Sequence, residues 1–567
     1  MPCRHIRDRG SILSHKQALL KIIQGEVKDD PETLHHYSGD ASAFRIVPEV
    51  VVLPKSTEDL KSLVNFVREK KESGDGSLSL TPRSCGTDMA GGDLNDSVIM
   101  DVNAHMNNIL ELEPSHARVQ PGLPYRVFEK ETFKVGSMLP SYPASKSIAS
   151  VGGMVANNSG GEKSLRYGKT ERYVEELKVI LRDGNEYVFR KLNRQELDSK
   201  LAQKDLEGEI YREVFKLLDD NYDVIKKAKP DVSKNSTGYL LWNVWDREEG
   251  TFDLTQLIVG SQGTLGVVSE IKFGLVPVEK YSKMLVVYMH TLDKLGEIIN
   301  TMLKYCPTSI ESYDDKTVDL AIRYFPELVM IISKTESIFK LGYELLPDLW
   351  IVARRGFPKM VIMAEFTGDS EDKIDESMKG LEAALGEYNV GVHRTKSREE
   401  SEKYWTIRRE SFNLLRKRVK GKQTVPFIDD FIVKPAVMPA FLKDLQKIFD
   451  QYPDVSFPVA GHPGDGNFHI IPLMDMTDER TRKIIPELTE KVFDLVLSYK
   501  GSLSAEHNDG LIRGAYLRQM YGDEVFGFFK KVKDIFDPER IFNPHKKTDA
   551  DLSYSMQFIK KDNEHSV

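Results

Sequence analysis

The sequence predicts an α+β fold in which two units, each with its own β-sheet, follow one another along the chain. Between residues 49 and 277, short β-branched runs alternate with amphipathic helical segments and glycine-rich turns. A second unit with alternating strand-like and helical segments begins near residue 281. At 567 residues the chain is also too long for one hydrophobic core, so we expect at least two domains.

The composition excludes several classes of protein. Hydrophobic residues make up 40% and charged residues 29% of the chain, which is ordinary for a soluble globular protein. The net charge of −8 argues against nucleic acid as the main partner. No apolar stretch reaches the ~20 residues of a transmembrane span, and the N-terminus has no apolar secretory segment. We expect a cytoplasmic protein, with peripheral contact at the inner membrane face as the alternative.

The first unit opens with a strand and a helix whose limits are visible in the sequence. The run 50–53 is a buried-strand pattern, and Pro54 ends it. Ser56 is a helix N-cap candidate, and apolar residues at helical spacing follow from Leu60 to Val67. Further strands are predicted at 78–80, 98–100, 177–181 and 257–259.

The second unit is predicted to be an antiparallel sheet backed by helices. Residues 283–290 and 361–366 are the strand patterns, and 375–385 is a helical pattern. Residues 321–357 form an apolar, aromatic insertion that we interpret as a packing helix, with a membrane or partner contact as the alternative.

Three glycine-rich segments, 81–92, 140–161 and 259–266, lie next to predicted strands in the first unit. Glycine lets the backbone approach a ligand closely and turn its N–H groups toward phosphate oxygens. None of the segments has the G-x-G-x-x-G pattern in a strand-to-helix setting, so a Rossmann NAD site is not predicted. A single segment of this kind is usually a plain turn, but three in one unit favour a nucleotide cofactor.

The motif at 460–471 contains two histidines on either side of a tight turn. Asp465-Gly466 favours a two-residue hairpin loop, which would place His462 directly opposite His469. Side chains at facing positions lie ~4.5–5.5 Å apart at Cβ, so both imidazoles could share one metal ion. Glu506 follows a predicted strand and is the third candidate ligand; such a set leaves positions open for catalysis. The alternative is an ordinary polar hairpin.

From Tyr37 to Lys546 these motifs resemble the FAD-linked oxidases and dehydrogenases with a vanillyl-alcohol-oxidase (PCMH-type) flavin domain. The histidine motif and Glu506-His507 narrow the resemblance to the D-lactate, glycolate and D-2-hydroxyglutarate dehydrogenase branch. The resemblance implies a PCMH-type FAD-binding domain over 1–277 and a ferredoxin-like antiparallel-sheet cap domain over 278–510. A C-terminal helical segment over 511–567 would return to the flavin.

The resemblance also implies which residues surround FAD. The first segment would hold the pyrophosphate, the second would pass along the isoalloxazine and adenine, and the third would support the far side. Near the first segment the sequence has Cys85 but no histidine, so we expect FAD to be bound non-covalently. Asp88 stands where many relatives have Gly or Ser, and we expect it to point away or to cap a local N–H. The implied cofactor residues are Arg83, Ser84, Gly86, Thr87, Ser145, Gly152, Gly153, Asn157, Ser159, Gly160, Gly266 and Asn543.

The same resemblance assigns the chemistry to the second unit. A divalent metal, Zn or Mn, would be bound by His462, His469 and Glu506, although Asn508 stands where the branch has Gly. The implied catalytic residues are His507 as general base, Arg408 on the substrate carboxylate and Asn467 near it, with Arg409 a solvated neighbour.

The predicted reaction is oxidation of a small D-2-hydroxy acid to the 2-oxo acid. The metal would lower the pKa of the substrate hydroxyl, His507 would take its proton, and flavin N5 would take the hydride. D-lactate is favoured over 2-hydroxyglutarate, since Ile428 stands about where the hydroxyglutarate enzymes have a lysine. The alternatives are a glycolate or D-2-hydroxyglutarate dehydrogenase, a flavin transferase like alkyl-dihydroxyacetone-phosphate synthase, and a non-catalytic carrier.

The cysteines bear on where the electrons go. Cys3, Cys85 and Cys306 are scattered, which suits a reducing compartment, and three thiols are too few for a four-cysteine iron–sulfur cluster. We therefore expect an external electron acceptor: a quinone, an electron-transfer flavoprotein or an iron–sulfur subunit.

Overall fold

The computed structural model describes residues 15–316, 354, 356–418 and 421–563, with side chains for all of them except 410–418. Most of the predicted insertion over 321–357 therefore lies outside the described residues. Among the described residues, no helix is both long enough and apolar enough to span a membrane.

The chain begins with a four-stranded sheet in the order β1-β2-β4-β3. Strands β2, β4 and β3 are parallel, and β1 pairs antiparallel with β2. The elements are β1 (Glu26–Lys28), α1 (Pro31–Tyr37), β2 (Val50–Leu53), α2 (Thr57–Glu72), β3 (Leu80–Arg83) and β4 (Val98–Asp101). As predicted, Ser56 caps α2 by accepting a hydrogen bond from Asp59 N, and the helix buries Leu60 and Val67 against this sheet.

A second sheet of seven antiparallel strands follows, in the order β10-β11-β9-β8-β12-β6-β5. Its strands are β5 (Ile109–Leu112), β6 (His116–Val119), β8 (Val174–Ile180), β9 (Glu186–Leu192), β10 (Trp245–Asp246), β11 (Thr251–Asp253) and β12 (Val267–Gly274), and β7 (Ser137–Met138) pairs separately with β13 (Val276–Pro277). The helices between them are α3 (Tyr125–Lys134), α4 (Val151–Asn157), α5 (Ser164–Tyr167), α6 (Arg194–Leu201), α7 (Leu206–Asp220), α8 (Tyr222–Lys227) and α9 (Thr255–Ile258).

The predicted strand at 257–259 is wrong, because most of this run belongs to the short helix α9. The Asp253 carboxylate accepts hydrogen bonds from Thr255 N (2.9 Å) and Thr255 Oγ1 (2.6 Å), which turns the chain into a helical geometry. A short, fully buried apolar run has no periodicity that separates a strand from a helix.

The second unit contains the predicted ferredoxin-like arrangement. Strands β14 (Tyr281–Met289), β15 (Ser309–Asp314), β16 (Met360–Gly368) and β17 (Gly391–Arg394), with helices α10 (Leu295–Leu303) and α11 (Glu371–Leu385), follow the order β-α-β-β-α-β. The sheet order is β17-β14-β16-β15, and β20, β21 and β19 extend it beyond β15. The remaining elements are α12 (Arg398–Arg418), β18 (Gln423–Thr424), β19 (Phe431–Ile432), α13 (Met438–Phe449), β20 (Val459–His462), β21 (Asn467–Ile470), β22 (Leu473–Met474) and α14 (Glu479–Ser498).

The two faces of this extended sheet have different neighbours. One face packs apolar side chains such as Val287 and Ile362 against helices α10 and α11. The opposite face carries Val286, Met363 and Tyr313, which cluster with Tyr404 and Trp405 of helix α12. Helix α12 therefore covers part of the face on which the site described below is built.

The C-terminal part of the chain returns to the first unit. Helices α15 (Gly510–Arg513), α16 (Leu517–Phe536) and α17 (Leu552–Gln557) follow the last strand, and Gly522 interrupts α16 with a φ of 75°. Leu80 N donates to Ile541 O (2.8 Å), and Ile541 and Phe542 lie in the core of the first sheet.

Candidate active site

A cavity lies between the glycine-rich segments of the first unit and strands β15, β20 and β21 of the second. Its first wall includes eleven of the twelve residues predicted to surround the cofactor: Arg83, Ser84, Gly86, Thr87, Ser145, Gly152, Gly153, Asn157, Ser159, Gly160 and Gly266. The three segments, which are far apart in sequence, therefore do form one surface.

The first glycine-rich segment is held in a shape that only glycine allows. Gly86 has a φ of 65°, and a Cβ there would collide with the Arg83 guanidinium. That guanidinium donates to the carbonyls of Gly39 (2.7 Å) and Tyr37 (3.2 Å). Asp88 caps backbone N–H groups of its own loop, at Ala90 (2.6 Å) and Gly92 (3.0 Å), as predicted.

Asn543, the twelfth predicted cofactor residue, is not part of the cavity wall among the described residues. It is buried, and its amide donates to the carbonyls of Gly92 (2.7 Å) and Gln262 (2.6 Å). The residue therefore braces the first glycine-rich segment against the third from behind. Its closeness to the flavin ring stays a prediction.

No described histidine lines the cavity near the first glycine-rich segment; the lining histidines are His462, His469 and His507. Cys85 does line it, and burial raises the pKa of its thiol, which makes it a poor nucleophile. Non-covalent binding of FAD stays a prediction that these two observations support.

The histidine hairpin has a different register from the predicted one. His462 pairs with Asn467 and Ala460 pairs with His469, so residues 463–466 form a four-residue turn. The register differs from the prediction by two residues, and side chains two apart lie on the same face of a strand. His462 and His469 therefore still share a face, as diagonal neighbours with ring centroids 5.2 Å apart.

Buried carboxylates orient all three histidines of the cavity. Glu311 on β15 accepts from Nδ1 of His462 (2.5 Å), and Asp429 accepts from Nδ1 of His469 (3.2 Å) and of His507 (2.7 Å). Glu311 is 1% exposed and Asp429 is 0% exposed, so water does not compete with the histidines for these carboxylates. Such hydrogen bonds fix the ring and leave Nε2 as the atom available to a ligand.

Glu506 lies next to the histidines and is held by a lysine from the first unit. Lys234 is buried and contacts Glu506 Oε1 and, at 3.2 Å, Asp465 Oδ2. The other oxygen of Glu506, Oε2, lies 3.5 Å from Nε2 of His462. One carboxylate oxygen is therefore taken by the ammonium, while the other faces the imidazole.

One set of described side chains has the spacing of a divalent metal site, and it shares His469 and Glu506 but not His462 with the predicted set. His462, His469 and Glu506 are the predicted set, and Asp430, His469, Glu506 and His507 offer ligand atoms that all lie within 4.8 Å of one another. Asp430 already accepts hydrogen bonds from the backbone of Glu506 (2.9 Å) and His507 (2.7 Å) and from Ser504 Oγ (2.6 Å). Imidazole nitrogens with one carboxylate suit zinc or manganese chemically.

The electrostatics of the cluster favour a cation. Burial lowers the pKa of His507, but the carboxylates of Asp430 and Asp429 outweigh this effect and raise it to about 9. Burial also opposes protonation of His462, yet Glu311 and Glu506 raise its pKa to about 9. An excess of buried carboxylates thus stabilises positive charge at this end of the cavity.

Arg408 and Arg409 both belong to helix α12, but they have different partners. Arg408 forms an ion pair with Glu311 (2.5 Å), lines the cavity, and keeps a buried Nε without a hydrogen-bond partner. Arg409 donates twice to Glu162 of the first unit, at 2.7 and 2.6 Å. The expectation that Arg409 is a solvated neighbour is therefore wrong, since Glu162 is 3% exposed and fixes it.

Asn467 is brought near the histidines but does not line the cavity. It is fully buried, and its amide donates to Phe431 O (3.1 Å) and Asp430 Oδ1 (3.2 Å). These contacts tie β21 to β19, so Asn467 braces these two strands beneath the histidines. The position of Asn467 near the substrate carboxylate stays a prediction.

Comparisons with known proteins match both units of the chain. Residues 48–189 match the FAD binding domain family, and residues 278–547 match the family of C-terminal domains of FAD linked oxidases. The chain belongs to the FAD-linked oxidases. Solved structures confirm the fold class: a 4-ethylphenol oxidase from Gulosibacter chungangensis is 15% identical, with a TM-score of 0.67 over 96% of this chain and 98% of that one. An alkyldihydroxyacetonephosphate synthase is also 15% identical, with a TM-score of 0.64 over 96% and 87% of the two chains.

Curated relatives of this FAD-linked oxidase include proteins with three different names. A D-2-hydroxyglutarate dehydrogenase of Escherichia coli is 28% identical over 90% of this chain, and the chain spans about half (49%) of that relative's length. The glycolate oxidase subunit GlcD of Bacillus subtilis is 25% identical over 94% of this chain and 96% of its own length. A D-lactate dehydrogenase of Archaeoglobus fulgidus is 23% identical over 88% of this chain and 90% of its own length.

Several important side chains of the FAD-linked oxidase were not identified from its sequence. Glu311 has a weak local signal, because it is a carboxylate in the middle of a strand that is buried throughout. Asp429 also has one, as part of an acidic pair that interrupts an apolar run. Lys234 and Glu162 have none, since each acts on a residue more than 200 positions away.

Proposed function

We propose that this FAD-linked oxidase oxidises a D-2-hydroxy acid to the corresponding 2-oxo acid. The observation that carries the proposal is that Arg408, His462, His469, Glu506 and His507 converge on the cavity wall that faces the glycine-rich segments. An anion-binding guanidinium beside imidazoles and a carboxylate is the set that a chelating 2-hydroxy acid requires. The names of the relatives support the same class of substrate.

Arg408 is the proposed partner of the substrate carboxylate. Its side chain is 8% exposed and lines the cavity, and its Nε is a buried donor without a hydrogen-bond partner. An unsatisfied buried donor is costly, and a carboxylate would remove that cost. Glu311 keeps the guanidinium in place until the substrate binds.

His507 is the proposed general base. Its Nδ1 is fixed by Asp429, so Nε2 of the neutral ring is the atom that would take the hydroxyl proton of the substrate. A divalent cation in the cluster would offset the carboxylates that raise the pKa of His507 and so favour the neutral ring. His462, His469 and Glu506 would hold the divalent metal. When bound, the metal supplies polarisation of the hydroxyl, and FAD supplies the acceptor for the hydride from Cα.

The electron acceptor in this proposal is external. The described cysteines, Cys85 and Cys306, are both free and are not paired with each other. The three cysteines of the sequence are too few for a four-thiolate cluster, so a quinone, an electron-transfer flavoprotein or an iron–sulfur subunit would reoxidise the flavin.

The test is a dye-reduction screen with the purified, FAD- and metal-loaded chain against matched D- and L-2-hydroxy acids. We expect reduction with D acids, D-lactate among them, and at least 100-fold lower kcat/KM with their L enantiomers. Absence of dye reduction with every acid, in a preparation that retains FAD, would refute the proposal.

A further inference from the structure

The cavity face of the second sheet is arranged in rows, and the rows differ in polarity. Strand pairing places Tyr313 opposite Ala460, and Ala460 opposite His469. Glu311 lies two positions before Tyr313 on β15, and His462 lies two positions after Ala460 on β20. Because the strands are antiparallel, these two residues form the next row, and both contact charged groups. Side chains two positions apart share a face, so these residues form one continuous wall, with His462 in its polar end row and His469 one row further on.

In the opposite direction the wall becomes apolar. Val459 pairs with Ile470, and the residues just beyond this pair, Pro458 and Ile471, are buried and line the cavity. Pro426 lines it next to them, because Val425 N donates to Pro472 O (2.9 Å) and brings that segment alongside. Two positions along a strand span roughly 7 Å, so the apolar surface extends one to two rows beyond the polar end.

The cavity has one cation that is placed to receive a substrate anion. Among its described lining residues, the lysines and arginines are Arg83, Arg408 and Arg409. Arg83 is bound to the carbonyls of Tyr37 and Gly39 at the first glycine-rich segment, and Arg409 donates from both Nε and Nη2 to Glu162. Arg408 also pairs with a carboxylate, that of Glu311, but its buried Nε has no hydrogen-bond partner. A second carboxylate on the substrate would therefore lie against apolar side chains without a partner, which is strongly unfavourable.

We propose that the site is built for a D-2-hydroxy monocarboxylic acid with an apolar side chain of three or four carbons. The carboxylate binds Arg408, and the side chain lies along Tyr313, Ala460, Pro458 and Ile471. This inference rests on the proposed function and adds the chemistry of the substrate's side chain to it. D-lactate is then a short member of the class that leaves the apolar rows unfilled.

The test is a substrate series with the full chain loaded with FAD and metal. The series is glycolate, D-lactate, D-2-hydroxybutyrate, D-2-hydroxypentanoate and D-2-hydroxy-4-methylpentanoate, compared with D-malate and D-2-hydroxyglutarate. Each buried methylene should raise kcat/KM roughly fourfold. D-2-hydroxyglutarate should fall at least 100-fold below D-2-hydroxypentanoate, which has the same number of carbons.

The outcomes separate this inference from the proposed function. If D-2-hydroxyglutarate or D-malate is the best substrate, or if kcat/KM does not rise with side-chain length, the side-chain inference is overturned while the proposed function stands. If no acid of either kind reduces the dye, the proposed function itself fails, and this inference with it.

A pair of variants tests the placement of the side chain. Ile471→Ala should lower kcat/KM for D-2-hydroxy-4-methylpentanoate about tenfold relative to that for D-lactate, because it removes apolar contact at the far end of the wall. Ile470→Ala is the matched control, since Ile470 lies on the opposite face, in the core. It should lower the thermal midpoint and leave the ratio between the two substrates unchanged. An equal ratio in Ile471→Ala and wild type would overturn the placement.

Discussion

At the scale of single residues, Glu311 connects the two binding functions of the site. One of its oxygens holds Nδ1 of His462 and the other pairs with Arg408. We predict that Glu311→Gln lowers metal affinity 10- to 100-fold, as loss of a carboxylate behind a ligating histidine does. Metal titration of the apo protein measures this without turnover. The control is Glu365→Gln, a buried carboxylate on β16 bound to Ser282, which should leave metal affinity unchanged; equal losses in both variants would contradict the coupling.

The planar shape of the Arg408 guanidinium should contribute to substrate binding as well as its charge. Arg408→Lys is expected to raise KM for the acid 10- to 100-fold, because an ammonium cannot reproduce a planar two-point contact with a carboxylate. Steady-state kinetics with D-lactate measure it. Unchanged KM would show that another cation binds the carboxylate; Arg513 is excluded from that role, since it is fully buried and donates to the carbonyls of Asn508 and Asp429.

Substitutions should distinguish the proposed metal ligands from the proposed general base. His462→Ala, His469→Ala and Glu506→Ala should each abolish both metal binding and turnover while FAD stays bound. His507→Gln should abolish turnover and keep the metal. EDTA should inactivate the wild type, and Zn²⁺ or Mn²⁺ should restore it. Loss of metal in His507→Gln would instead make His507 a ligand, in the set with Asp430, and an active enzyme without stoichiometric metal would contradict the site altogether.

At the scale of elements, helix α12 joins the two units through the pair of Arg409 with Glu162. Burial raises the pKa of Glu162, but Arg409 outweighs it and lowers the pKa to about 2. A carboxyl with a lowered pKa stabilises the fold above its ordinary pKa and loses that contribution as the pH falls from about 4.5 to 2. Glu162→Gln should therefore cost about 1–3 kcal/mol at pH 7 and far less near pH 2.5, by urea unfolding. Glu402→Gln, at an exposed carboxylate near the same arginine, is the control, and an effect of Glu162→Gln that does not vary with pH would contradict the assignment.

At the scale of the whole molecule, the cavity requires both units, because Lys234 and Glu162 come from the first and act on Glu506 and Arg409 of the second. We predict that trichloroacetic acid releases FAD into the supernatant, since no described histidine lines the cavity at the first glycine-rich segment. Colour left in the protein pellet would contradict non-covalent binding. The holoenzyme should also reduce dyes quickly and oxygen slowly, and stoichiometric peroxide formation in air would show that oxygen is its electron acceptor.

The sequence by itself determined the fold class, the three glycine-rich segments and the histidine motif, because each depends on patterns within a few tens of residues. Helix α2 and strand β2 are local in this sense, and both were predicted. The face shared by His462 and His469 was also predicted, since a register difference of two residues preserves the face although it changes every pair.

Tertiary structure alone decided the partners of the charged groups. Whether Arg409 meets water or Glu162, and whether Asn467 and Asn543 meet a ligand or brace a loop, depends on segments up to several hundred positions away. The same holds for the apolar end of the cavity wall, where residues from β15, β20 and the chain after β21 meet. Side-chain electrostatics acts through space over a few ångströms, and sequence order does not record those distances.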